Sequence, residues 1–218
     1  MAKLKIYTFP DLVLAKKALP IARVEKTYFK LADDMLETMY HAPGIGLAAN
    51  QVGILERILV LDTEYDIQDI EDLEDGEKPP ENAEVIAGSI ITGKKPKIII
   101  NPEIIEREGK IAIAEGCLSV PDYSAEVQRS EKIKIQFQDI DGLTRTMTAE
   151  GLQAVALQHE MDHLDGKLFI DRLSPLKKEV VRKKLRKERL AREEDERDFG
   201  PLANVDRSSG SDKKKKGF

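Results

Sequence analysis

Residues 159–163 read His-Glu-Met-Asp-His. On an α-helix, a four-residue separation puts both imidazoles on one face, with Cβ atoms roughly 5–6 Å apart. That spacing lets His159 and His163 reach one metal ion. Glu160 lies about 100° round the helix, where it touches water at the ion without being a ligand. Leu152, Val155, Ala156, His159 and His163 form one i, i+3, i+4 stripe, so the histidines continue an apolar face and point inward. Imidazoles buried on such a face need partners, and a metal supplies them. The chemistry suggested is an ion that acidifies water, next to a carboxylate that handles the proton.

A catalytic site of this kind uses three protein ligands and keeps one position open. The chain has three histidines and one cysteine, and no histidine follows His163. The third ligand is therefore sought elsewhere. Asp171 and Glu179 lie downstream, but in charged sequence. His41 stands before Pro43 and fits a helix C-terminal cap. Cys117 sits in Glu115-Gly116-Cys117-Leu118-Ser119, where Gly116 lets the backbone approach closely. A lone cysteine is often an inert core thiol, so residue types and spacing leave the third ligand open. They also leave open a metallopeptidase acting on internal bonds and a structural zinc site.

Three stretches occur together and in order: GIGLAANQ (Gly44–Gln51), EGCLS (Glu115–Ser119) and QHEMDHLDG (Gln158–Gly166). Together they resemble the peptide deformylase family, enzymes that remove the N-formyl group from new polypeptides. The resemblance covers roughly residues 1–175. It implies that Cys117, His159 and His163 are the metal ligands, that Glu160 is the general acid/base, and that Gln51 and the Leu118 N–H stabilise the developing oxyanion. It implies Fe²⁺ in cells, with Zn²⁺, Ni²⁺ or Co²⁺ able to substitute; all accept N/N/S ligation, so the ligand types do not choose among them. The expected reaction is metal-dependent hydrolysis of formyl-methionyl nascent polypeptides, releasing formate.

The same resemblance assigns the substrate edge. Backbone groups of Ile45, Gly46 and Gly116 are expected to hold the peptide as an added strand. Val155 and Ala156, one turn before His159, are expected to wall an apolar methionine pocket, with Leu118 and Glu115 beside it. Arg129 is expected to orient the site by pairing with Glu115 or Asp162. Ser124 stands where some members carry an arginine that contacts the peptide, a departure that bears on peptide affinity.

The elements read along the chain, with the resemblance, imply an α+β domain: antiparallel β-sheets around a central helix carrying 159–163, followed by a C-terminal helix. Periodicity predicts a helix over 23–41, ended by Pro43-Gly44. Strands are predicted at Arg57–Asp62, at Lys97–Ile100 closed by Asn101-Pro102, at Lys132–Gln138 and at Leu143–Thr148, the last two joined by an Asp141-Gly142 hairpin. Ile104–Arg107 and Lys110–Ile113 read as a hairpin across Glu108-Gly109. Thr148 fits the N-cap of the central helix, which runs to about Leu164 and ends at Gly166. Residues 63–96 read as an acidic, loop-like insertion with one short strand at Ile90–Thr92. A final helix is predicted over Pro175–Asp195, and 197–218 read as a disordered end.

Composition sets the outer limits. The chain has 218 residues, 41% apolar and 34% charged, enough for one domain with solvated segments. A single cysteine excludes an internal disulfide framework. No apolar run approaches the roughly 18 residues of a membrane helix, and the N-terminus MAKLKIYTFPD shows no leader. The expectation is a cytoplasmic protein with no membrane partner. Net charge is −5, against general nucleic-acid binding and specific DNA contacts. The charge is uneven, however: residues 174–218 hold 15 Lys+Arg and 9 Asp+Glu. That basic extension suits docking to ribosomal RNA, as similar helices do in the family.

Overall fold

The computed structural model describes residues 2–73 and 78–199. Its frame is a five-stranded sheet in the order β1 (Gly46–Ala48), β2 (Ile58–Leu61), β6 (Lys97–Glu108), β9 (Lys132–Gln138) and β10 (Thr144–Glu150). A three-stranded sheet, β3 (Asp66–Asp69), β5 (Ser89–Thr92) and β4 (Glu84–Ile86), lies between β2 and β6 in sequence. A third sheet pairs β7 (Ile111–Cys117) with β8 (Val120–Arg129). Every pairing between these strands is antiparallel. Three α-helices complete the described fold: α1 (Thr27–His41), α2 (Gly151–Leu164) and α3 (Pro175–Phe199). This is the α+β architecture expected.

Strand β2 shows why the core forms. Its run Ile58-Leu59-Val60-Leu61 is wholly buried, as befits a strand covered on both faces. Successive side chains point to opposite faces. Leu59 and Leu61 pack with Leu157, Met161 and Leu164 of α2. Ile58 and Val60 pack with Ala32, Met35 and Met39 of α1. Helix α2 is buried from Ala154 to Leu164 without a break, so even its polar residues lie inside and must be paired there.

Several local expectations need correction. Strand β6 does not stop at Asn101-Pro102. It passes through them with a register shift between Ile100 and Glu103, a bulge that tolerates proline. Asn101 takes φ 50°, a conformation asparagine tolerates, and its side chain bonds both backbone groups of Ile21. No hairpin spans Glu108-Gly109. Beyond the bulge β6 pairs with β9, whereas β7 pairs with β8, so Gly109 passes the chain from one sheet to another. The β9–β10 hairpin exists, but its turn spans Asp139–Leu143, because the Asp139 carboxylate caps the N–H groups of Asp141 and Leu143. Thr148 is not an N-cap. β10 stays paired with β9 as far as Glu150, and Gly151, at φ 56°, turns the chain directly into α2. Helix α1 starts at Thr27, after a tighter turn at 25–28. The segment expected as a loop carries three strands, stabilised by burial of Ile90 and Ile91. The last helix starts at Pro175 as predicted but runs on to Phe199, past Asp195 and through residues 197–199 of the expected disordered end; residues 200–218 lie outside the described residues.

Candidate metal centre and substrate cavity

Cys117 ends β7, where a register shift between Glu115 and Cys117 breaks the ladder. Such an irregularity re-aims a side chain. The Cys117 Sγ lies 3.2 Å from His163 Nε2. His163 Nε2 lies 3.2 Å from His159 Nε2, and all three ligand atoms fall within 4.8 Å of one another. Ligand atoms bonded at about 2.0–2.3 Å to one tetrahedral ion sit roughly 3.3–3.6 Å apart, so this cluster has the right size. The donor set agrees. His159 Nδ1 is 2.7 Å from Glu115 Oε2; with the proton on that nitrogen, the Nε2 lone pair faces the cluster. Two imidazole nitrogens and a sulfur converging in a buried space fit a borderline-soft divalent cation. His41 and Asp171 are not in the cluster: His41 ends α1, and Asp171 pairs with Lys178 and Arg182.

Behind the ligands lies a buried charge network. Arg129 grips Glu115 with two bonds, Nε to Oε1 at 2.7 Å and Nη2 to Oε2 at 2.8 Å. It also donates to Asp162, which receives Arg172 as well. Arg129 thus pairs with both of the acids expected as alternatives. Burial opposes ionisation of Glu115, but Arg129 and His159 outweigh it and hold the carboxyl below its ordinary range. At Asp162 burial is likewise outweighed, by Arg172 and Arg129. A Glu115 kept ionised is what fixes His159 by its Nδ1.

Gln51 sits in a 3₁₀ turn, Ala49–Val52, and is 1% exposed. Its Oε1 accepts the Ala48 N–H at 2.8 Å. That fixes the amide orientation, and Nε2 then points towards Cys117 Sγ, 3.6 Å away, and Ser119 Oγ, 3.2 Å away. Glu160 is buried beside Gly46, where a Cβ would stand 2.5 Å from Glu160 Oε1. Only glycine allows that approach. Burial, with the charge of Glu115 adding, pushes the Glu160 carboxyl up to about 7 against the pull of His159. Its Oε2 has no hydrogen-bond partner among the described residues.

A cavity of about 400 Å³ opens beside the cluster. Gln51, Cys117, Leu118, His159 and Glu160 line it, together with Ile45, Gly46, Glu115, Gly116, Val155 and Ala156 among others. His163, Arg129 and Asp162 stand behind it. Ser124 is exposed on β8 and does not line it. Three contributors escaped the sequence reading. Ser119, inside the EGCLS motif, holds Gln51. Phe169 stacks on the His159 ring at 5.9 Å and 25°, and Arg172 completes the Asp162 pairing. Ser119 had a motif to mark it; Phe169 and Arg172 come from a 3₁₀ turn that carries no periodic signal.

Comparison with known proteins agrees with this geometry. Residues 3–179 match the family model described as polypeptide deformylase. The peptide deformylase of Alkalilimnicola ehrlichii is 44% identical over 187 residues, 86% of this chain and 91% of that protein. A peptide deformylase of Xylella fastidiosa is 46% identical over 192 residues, 87% of this chain and 98% of its own. Among solved structures, peptide deformylase from Legionella pneumophila superposes with a TM-score of 0.69 at 37% identity, covering 88% of this chain and 98% of that one. That from Ehrlichia chaffeensis in complex with actinonin gives 0.70 at 35% identity, covering 86% and 98%. On these grounds the chain belongs to the polypeptide deformylase family.

Proposed function

We propose that this protein hydrolyses the N-terminal formyl group of formyl-methionyl nascent polypeptides, releasing formate, with Cys117, His159 and His163 holding one divalent metal ion. The observation that carries the reading is the convergence of a thiol and two imidazoles, with Cys117 and His159 lining one cavity beside Gln51 and Glu160. When bound, the ion supplies Lewis acidity, lowering the pKa of water and polarising a carbonyl. Glu160 Oε2 takes the proton from the attacking water and returns it to the leaving α-amine, which departs poorly unless protonated. The Gln51 Nε2–H and the Leu118 backbone N–H meet the oxygen on which charge develops. The Ile45–Gly46 backbone and Gly116 hold the peptide by main-chain pairing, which tolerates many downstream sequences. Val155 and Ala156 wall the apolar pocket for the methionine side chain. Arg129 and Asp162 keep Glu115, and through it His159, in position.

Iron(II) is the proposed metal in the cell. A thiolate and ferrous iron are both oxidisable, so activity is expected to be oxygen-sensitive. Residues 1–175 are proposed as the catalytic unit, with 63–96 as an accessory insertion. Helix 176–196 is proposed to dock on the ribosome: Lys177–Arg189 hold eight basic and two acidic residues, suited to a phosphate surface. A cytoplasmic location follows from that partner, and no described helix is long and apolar enough to cross a membrane.

The test is formate release from a formyl-methionyl tripeptide by protein purified and loaded with Fe²⁺ without oxygen. Turnover is expected, with loss on chelation and recovery on adding back iron. Cleavage of an internal bond in a blocked, non-formylated peptide would favour the metallopeptidase reading instead.

A further inference from the structure

The segment between β2 and β6 takes no part in the chemistry above, yet it reaches the back of the substrate edge. The Tyr65 hydroxyl donates to the Gly44 carbonyl at 3.1 Å. Next to it the Asp62 N–H donates to the Ile45 carbonyl at 2.9 Å. The Asp62 carboxylate is held in turn by the Tyr40 hydroxyl and the Lys95 N–H, each at 2.7 Å. Tyr65 meets Tyr40 edge-on, with ring centres 5.2 Å apart. The Lys94 ammonium lies 4.3 Å from the Tyr40 ring centre and 2.5 Å from Glu84 of β4. Asp66 faces Thr92 and Glu84 faces Ile91, so Tyr65, Lys94, Lys95 and Glu84 all gather at one end of the small sheet, and that end closes on one patch.

The opposite side of Gly44–Gly46 is the cavity wall. A Cβ on Gly44 would stand 2.9 Å from Leu118 Cδ1, and one on Gly46 would collide with Glu160. Residues 44–46 are thus a thin plate between the reacting groups and the inserted sheet. Two glycines in three residues give that plate little stiffness of its own, so its position depends on what holds it from behind.

We infer that Tyr65 is a positioning residue for peptide binding: through its bond to the Gly44 carbonyl, the inserted sheet braces the Gly44–Gly46 edge at the distance from which it pairs with substrate main chain. The inference rests on the proposed deformylase reading, in which that edge takes the peptide. Burial raises the Tyr65 phenol above its ordinary value, so the hydroxyl remains a donor across neutral pH.

The experiment compares wild type with Tyr65→Phe, as full-length, metal-loaded chains, on formyl-methionine and on a formyl-methionyl tripeptide. Formyl-methionine has no downstream residue to pair with the edge. For the tripeptide, KM is expected to rise about two- to tenfold, the worth of one neutral hydrogen bond, with kcat within about twofold. Constants for formyl-methionine should stay unchanged. Amide exchange over 42–50 should quicken several-fold relative to β9 in the variant. Equal losses on both substrates, no change on the tripeptide, or unchanged exchange over 42–50 would overturn the brace. A wild-type chain inactive on both substrates would overturn the deformylase reading itself, and the brace with it, before any variant is compared.

Discussion

Glu160 is buried one residue from a proposed ligand, at a distance round the helix that keeps it off the cluster. Its proposed work is moving a proton, so removing the carboxylate should separate turnover from metal binding. Glu160→Gln is expected to lower kcat by about 10²–10⁴-fold while metal content stays at the wild-type level, read by formate release and metal analysis on the same sample. Loss of metal in that variant would make Glu160 a ligand instead. Glu115 differs in kind: it lies outside the ligand cluster, and its proposed work is to orient His159 through the 2.7 Å contact with Nδ1. Its change to Gln is expected to weaken metal affinity about 10–100-fold, measured by competition with a chelator. At this scale the sequence was informative because the chemistry is local. A four-residue spacing on a helix already aligns two rings. The third ligand was not legible from spacing: Cys117 and His163 are 46 positions apart, and only the three ordered motifs singled out the cysteine.

Elements with their own period were readable, and those defined by their partners were not. β2, β9 and α1 carry continuous, alternating or helical apolar patterns, and they stand within a few residues of expectation. β8 is the exception: Tyr123, Ala125 and Val127 alternate with polar neighbours, a period absent from the expectations above; the strand pairs with β7, and Arg129 at its end meets Glu115 across the ladder. Similarly, three strands arose in the acidic stretch because buried Ile90 and Ile91 outweigh unfavourable neighbours. Helix α3 adds an electrostatic anchor at its base. Asp171 accepts Lys178 at 2.7 Å and also pairs with Arg182, while Val181 and Leu185 pack near Phe169. Burial opposes the Asp171 charge, but Lys178 and the Leu168 N–H outweigh it and hold the carboxyl below its ordinary 3.8. A group lowered on folding contributes stability above its unfolded value, and that contribution disappears as pH falls through the folded one. Asp171→Asn should therefore melt below wild type at pH 5–7, with the gap closing below about pH 4. A gap that stayed constant down to pH 2 would show that the charge of Asp171 does not anchor α3.

Across the whole molecule, the fold brings together pieces that are remote in sequence. The β1 turn supplies Gln51, the end of β7 supplies Cys117, and α2 supplies both histidines, while the network Glu115–Arg129–Asp162–Arg172 ties these pieces to the turn beneath α3. The class of fold was legible because strands, a hairpin and an inward-facing histidine helix could be read along the chain, and the three motifs resemble a family of that architecture. The sheet memberships were not, since which strand β7 joins is decided by a bulge and a buried ion pair. The account depends on one ion being held jointly by sulfur and two imidazoles. Since Cys117 is the chain's single cysteine, the absorption spectrum of the Co²⁺-loaded protein tests this directly. One cobalt per chain should give a near-ultraviolet sulfur-to-cobalt charge-transfer band, and Cys117→Ser should abolish it. One cobalt per chain with the same spectrum in both proteins would contradict the account.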